Sequence, residues 1–170
     1  MNKQNYFLMF LMFLGVQLLI CNYFHISAYI TLSILPCAIL LLPTSVGTAT
    51  AMFIAFAAGL SVDLLAEGVP GLNALACVPV AGARRIICDL IFGKELTLTG
   101  EDVSMSKYGL VKMTLAVSIV QSIFLVIYIW ADGAAARTLT FNILRFSLSL
   151  VTGTALSLVV ANLLDPNERK

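Results

Sequence analysis

At 170 residues the chain has the length of one domain, yet 60% of it is hydrophobic and only 11% is charged. A soluble domain carries about 25% charged residues, and a core of this size leaves too much surface exposed to hide so many apolar side chains. The formal net charge of +1 leaves no basic stripe for nucleic acid, so the lipid bilayer is the solvent that remains.

A bilayer core of ~30 Å requires about 20 apolar residues per helix, because backbone polar groups have to be satisfied within the segment. Six candidate spans follow in chain order. The first covers 6–24, with Asn22 and His25 marking its exit. It has the length of a full span and no small-residue cleavage motif, which predicts a retained signal-anchor. The second, 28–42, is short, contains Pro36 and stops at Pro43. The third covers 47–65. The fourth covers 70–92, where Pro79 and Gly82 are expected to bend the helix. A polar stretch, 93–108, forms the longest loop; its mixture of Lys94, Glu95, Glu101, Asp102 and Lys107 has the character of a solvated surface. The fifth span covers 109–130 and the sixth 139–164, ahead of Pro166 and a charged tail. The expected fold is all-α: a polytopic membrane protein in one domain, 1–170, with a bundle of about six transmembrane helices.

Orientation follows from the tendency of short cytoplasmic loops to collect Lys and Arg. With the N-terminus inside, Lys3, Arg84, Arg85, Lys94, Lys107, Lys112, Arg169 and Lys170 fall on or near the cytoplasmic side, and only Arg137 and Arg145 fall outside. Eight against two places both termini in the cytoplasm.

The third span carries a small residue at every fourth position, Gly47, Ala51, Ala55 and Gly59, and Asp63 continues the row. The sixth span repeats the device with Ser149, Gly153, Ser157 and Ala161, preceded at the same step by Arg145. Residues four apart share a helix face, and small side chains there let a second backbone approach closely. The rows therefore serve either packing within this protein or docking of a partner helix. Each row meets a charge near the outer boundary. An ionised group inside a helix costs roughly 2.5–3.5 kcal/mol on insertion scales, so Asp63 and Arg145 are expected either to pair in the interior or to reach separately for the interface. Farther along the fourth span, Arg85 and Asp89 are spaced to pair along the helix, which turns Arg84 towards lipid headgroups or a partner. Gln17, Gln121 and Asn142 are polar residues in mid-span, each able to hydrogen-bond across helices.

No H-E-x-x-H, G-x-S-x-G, P-loop or dinucleotide fingerprint occurs. Cys21, Cys37, Cys77 and Cys88 are dispersed in apolar runs, and His25 is the one histidine. The expectation is a protein that is not an enzyme, with no cofactor and no metal.

The stretch Phe56-Ala-Ala-Gly59-Leu-Ser-Val-Asp63-Leu-Leu, followed by Gly71-Leu72-Asn73-Ala74, resembles the MreD family of rod shape-determining proteins. Those are short multispanning proteins with a G-L-x-x-D run leaving one helix and a G-x-x-A run opening the next. Arg84 or Arg85 falls where that family tends to carry a basic residue, and Asn73 stands where many members have histidine. The likeness extends loosely over the whole chain. It implies a non-enzymatic role in the bacterial cell-elongation machinery, in the cytoplasmic membrane. The partners implied are an MreC-like membrane protein and, with it, MreB, RodA and a penicillin-binding transpeptidase. The family is also similar to the substrate-binding subunits of energy-coupling-factor vitamin transporters. That relationship implies an alternative, a binding subunit with a pocket at the outer face near Asp63, Glu67, Asn73 and Trp130. An ion-coupled carrier built on Asp63 and Arg145 is a third reading, with Pro79 and Gly82 as its broken helix.

Overall fold

The computed structural model describes residues 3–23, 30–93, 103, 105–133 and 136–164. The expected exit at His25, most of the 93–108 loop and the charged tail lie outside them. Among the described residues the structure is helical, with no strand. Six α-helices follow one another: α1 Lys3–Tyr23, α2 Leu35–Leu40, α3 Thr48–Val62, α4 Leu72–Ile91, α5 Met105–Ala131 and α6 Leu139–Leu164. A single π-helical turn, Asp63–Glu67, extends α3.

Three of these helical stretches are long and apolar enough to cross a membrane: Thr48–Ala66, Lys107–Ala131 and Leu139–Leu163. The apolar part of α1, Leu8–Tyr23, is shorter. α4 has the length, but Arg84, Arg85 and Asp89 interrupt its apolar character. It runs unbroken through Pro79. In α5 the break falls at Gly109, whose φ of 80° suits a residue without Cβ, so the apolar helix proper starts one residue later.

The second expected span is corrected by the structure. Of its described part, 30–42, only Leu35–Leu40 is helical, and 30–34 is irregular. Pro36 fits the first turn of α2, where its missing N–H has no partner to lose, and Pro43 follows its end. All six residues of α2 are buried. α2 packs against α4 and α5 and is covered by α1; α3 lies on α4, α4 on α5 and α5 on α6.

Unlike a soluble protein, the bundle is apolar on its outer faces as well as in its core, and several polar groups lie inside. Gln17, Asp63, Asn73, Arg84, Gln121, Arg145, Ser149 and Ser157 are buried, while Phe53, Ile86, Leu90, Val111, Val126 and Val151 point outward. Exposed aliphatic faces on every long helix, with polar groups inside, suit a hydrocarbon surrounding.

Candidate functional site

Two polar clusters organise the interior, and a third arginine-bearing site lies at the other end of α3 and α4. The first cluster joins α3 to α4. The first turn of any helix presents N–H groups with no intrahelical acceptor. α4 opens on Gly71, which has no side chain to cap them, and Gly71 takes a φ of 103° to make the turn. Asp63 does the capping from the preceding helix. Its Oδ2 accepts the N–H groups of Gly71 (2.9 Å) and Ala74 (3.2 Å), and its Oδ1 accepts the N–H and the Nδ2 of Asn73 (both 2.9 Å). A carboxylate at a helix N-terminus is stabilised both by these donors and by the helix dipole. The π turn beginning at Asp63 ends at Gly68, whose N–H returns to the Asp63 carbonyl at 2.8 Å. One turn earlier, Gly59 lies against the backbone of the same segment: a Cβ there would stand 2.5 Å from Ala74 N and 2.6 Å from its Cα. Gly59, Asp63, Gly71 and Ala74 thus form one contiguous joint.

The second cluster surrounds the irregular segment 30–34. Its backbone groups find acceptors and donors on three different helices. Gln17 of α1 accepts the Ile34 N–H at 2.7 Å and donates to the Leu32 carbonyl at 3.2 Å. Gln121 of α5 donates to the Ser33 carbonyl at 3.1 Å. Ser149 of α6 accepts the Thr31 N–H at 2.8 Å. Arg145 donates through Nε to the Thr31 hydroxyl (3.0 Å) and through Nη1 to Asp132 (2.5 Å), and its guanidinium lies 5.7 Å from the Tyr128 ring centroid. Arg137 shares the same Asp132 oxygen at 2.9 Å.

These contacts correct the expected interior pair. Asp63 and Arg145 are both buried but do not meet: the carboxylate is taken up by the start of α4, and the guanidinium by Asp132 and Thr31. The carrier reading loses its charge pair. On α4 the expected outward turn of Arg84 is corrected. Arg84 turns inward, only 5% exposed, and donates to the Leu42 carbonyl, whereas Arg85 is on the exposed side and Asp89 is half-buried.

Both small-residue rows face inward. Ala51, Ala55 and Gly59 are buried against α4, and only Gly47 stands in the open. In α6, Ser149 holds the irregular segment, the Ser157 carbonyl accepts the Cys37 thiol at 3.8 Å, and Ala161 is buried. Gly153 makes room for Gln121, whose Nε2 would lie 2.5 Å from a Cβ. Of the residues suggested for an outer ligand pocket, the side chain of Glu67 lies outside the described residues. Asp63 and Asn73 are buried and bonded to each other, and Trp130 is 74% exposed on α5. Among the described residues no group of His, Cys, Asp or Glu has the arrangement of a metal site. Comparison with protein-family models, with curated proteins and with solved structures finds no match.

Asp132 and Thr31 were missed by sequence reasoning, which did mark Gln17 and Gln121 as able to hydrogen-bond across helices. A usable signal was present: a lone arginine inside an apolar helix, with an acidic residue in the short turn that precedes that helix.

Proposed function

We propose that this chain is a non-enzymatic, multi-pass component of the bacterial cell-elongation complex, lying in the cytoplasmic membrane with both termini inside. In this reading it binds an MreC-like membrane protein and works alongside the peptidoglycan-synthesis enzymes. What supports the reading is the Gly59–Asp63–Gly71–Ala74 joint. The residues that carry the likeness to the MreD family are in mutual contact and do one structural job, so the likeness is to a device rather than to scattered apolar letters. The buried charges of Asp63 and Arg145 are consumed in holding the bundle together, which suits an assembly protein better than a carrier.

The test is co-expression with an MreC-like single-span protein, followed by affinity purification in mild detergent, and depletion of the chain in a rod-shaped host. Stable co-purification and rounding of the depleted cells are expected. A well-folded sample that captures no such partner, and whose melting temperature rises with one member of a vitamin panel, replaces the reading with the transporter-subunit alternative.

A further inference from the structure

At the opposite end of α3 and α4 from the Asp63 joint, a cavity of about 240 Å³ lies between the start of α3 and the last turns of α4. Arg84, Arg85, Thr44, Ser45, Gly47 and Thr48 are among the residues that line it, and no carboxylate is among the described residues of the lining. Ligand pockets for drug-sized molecules run to roughly 300–1,000 Å³, so this one suits a small group.

Three independent features give it one chemical preference. Two guanidiniums supply positive charge and planar N–H donors, the arrangement that best matches phosphate. Arg84 is fixed in the wall by its bond to the Leu42 carbonyl, where the chain leaves α2, while Arg85 stands exposed. Thr44, Ser45 and Thr48 bring hydroxyls. Finally, α3 is 15 residues long and begins at Gly47 with no side-chain cap, so its first N–H groups and the positive end of its dipole border the same space.

We infer that this cavity binds a phosphate group, either the headgroup phosphate of an anionic membrane lipid or a free phosphate ion. The lipid source rests on the membrane orientation proposed above, which puts the cavity at the cytoplasmic border; the free-ion source does not.

The experiment uses the full chain purified in a neutral detergent. Thermal unfolding is followed during titration with dioctanoyl-phosphatidylglycerol, with dioctanoyl-phosphatidylcholine, and with inorganic phosphate against chloride at matched ionic strength. The same series is run on R85Q and on S45D, both at exposed positions that leave the Arg84–Leu42 bond in place. Saturable stabilisation of the wild type is expected, with apparent affinity about tenfold weaker in R85Q and lost in S45D. Stabilisation by phosphatidylglycerol alone assigns the lipid source, and stabilisation by inorganic phosphate as well assigns the free ion; both support the site. No saturable effect of either ligand, equal effects of phosphatidylglycerol and phosphatidylcholine without one from phosphate, or unchanged affinity in both variants overturns it. Carbonate extraction of cell membranes is measured in parallel. A protein that resists extraction but binds no phosphate fails the site and keeps the membrane reading, whereas release by carbonate fails the membrane reading instead.

Discussion

At the scale of single residues, Asp63 is the side chain on which most backbone depends. Its two oxygens accept three main-chain N–H groups and one side-chain amide. Removal of the carboxylate in D63A leaves buried donors without acceptors and is expected to lower stability by about 3 kcal/mol, while D63N, which retains one acceptor oxygen, loses about 2 kcal/mol. Thermal unfolding in detergent, read by the helical circular-dichroism signal, checks the order of the two. If D63A melts with the wild type, the joint has another cap. Gly59 and Gly153 offer a sharper comparison. A methyl group at 59 meets the backbone of α4, which cannot step aside, whereas one at 153 meets the end of the Gln121 side chain, which can swing at the loss of its bond to Ser33. G59A is therefore expected to destabilise by about 3 kcal/mol and G153A by about 1 kcal/mol, a difference that the same melts resolve. The charge of Asp63 was legible in the sequence; its partners were not. Spacing arguments see neighbours along a helix, whereas these acceptor–donor contacts cross a turn and end on main-chain atoms that every residue shares. The inward turn of Arg84 was legible in principle, because it continues the buried stripe of Cys77, Val80, Ala81, Ile87 and Cys88, while its neighbour Arg85 falls a third of a turn away.

At the scale of elements, the informative departure is the second span. The apolar run at 28–42 is too short to cross a bilayer as a helix: fifteen residues at ~1.5 Å each would rise only ~22 Å against ~30 Å of hydrocarbon. A non-helical residue advances by up to ~3.3 Å, so leaving 30–34 unwound extends the reach of the segment towards the full thickness. Unwinding exposes main-chain groups that hydrocarbon cannot solvate, and irregular backbone at membrane depth is tolerated only where protein buries and satisfies it. Gln17, Gln121 and Ser149 meet that demand. An ordinary side-chain hydrogen bond between membrane helices contributes about 0.6 kcal/mol. Replacement of Gln17 by leucine strands both the Leu32 carbonyl and the Ile34 N–H, and is expected to destabilise by about 2 kcal/mol or more. The control is S122A, where the hydroxyl bonds only to the Ser118 carbonyl of its own helix and its removal is expected to change stability by less than about 0.5 kcal/mol. Equal melts for the two variants mean that the irregular segment is held by something else. The hydrophobic run at 28–42 announced an apolar element, but helix and unwound strand present the same letters. What distinguished them, three polar side chains on distant helices, became visible only with the bundle assembled.

At the scale of the whole molecule, the arrangement of charge sets an orientation that can be measured. The connections alternate along the chain: the turn at 43–47 lies at one end of α3 and the Asp63 joint at the other, α4 returns to the first end, and α5 leads to the turn that holds Asp132 and Arg137. The basic residues follow the same alternation, with Arg84, Arg85, Lys107 and Lys112 towards the end shared by the phosphate cavity, and Arg137 and Arg145 at the end shared by Asp132. Basic residues at the first end outnumber the two at the second, and it is this excess of Lys and Arg that orients a membrane protein. The orientation proposed here predicts that Ser45, exposed at the first end, faces the cytoplasm and Ala136, exposed beside Asp132 and Arg137, faces outward. In a background with the four native cysteines replaced, A136C is expected to react with a membrane-impermeant maleimide on intact cells, and S45C only after the cells are opened. The reverse pattern inverts the topology and moves the phosphate cavity to the outer surface, where the lipid-headgroup source would have to come from the other leaflet. Labelling of both positions on intact cells, with the membrane shown to be sealed, means that the chain does not cross between them, and the six-span bundle falls with it.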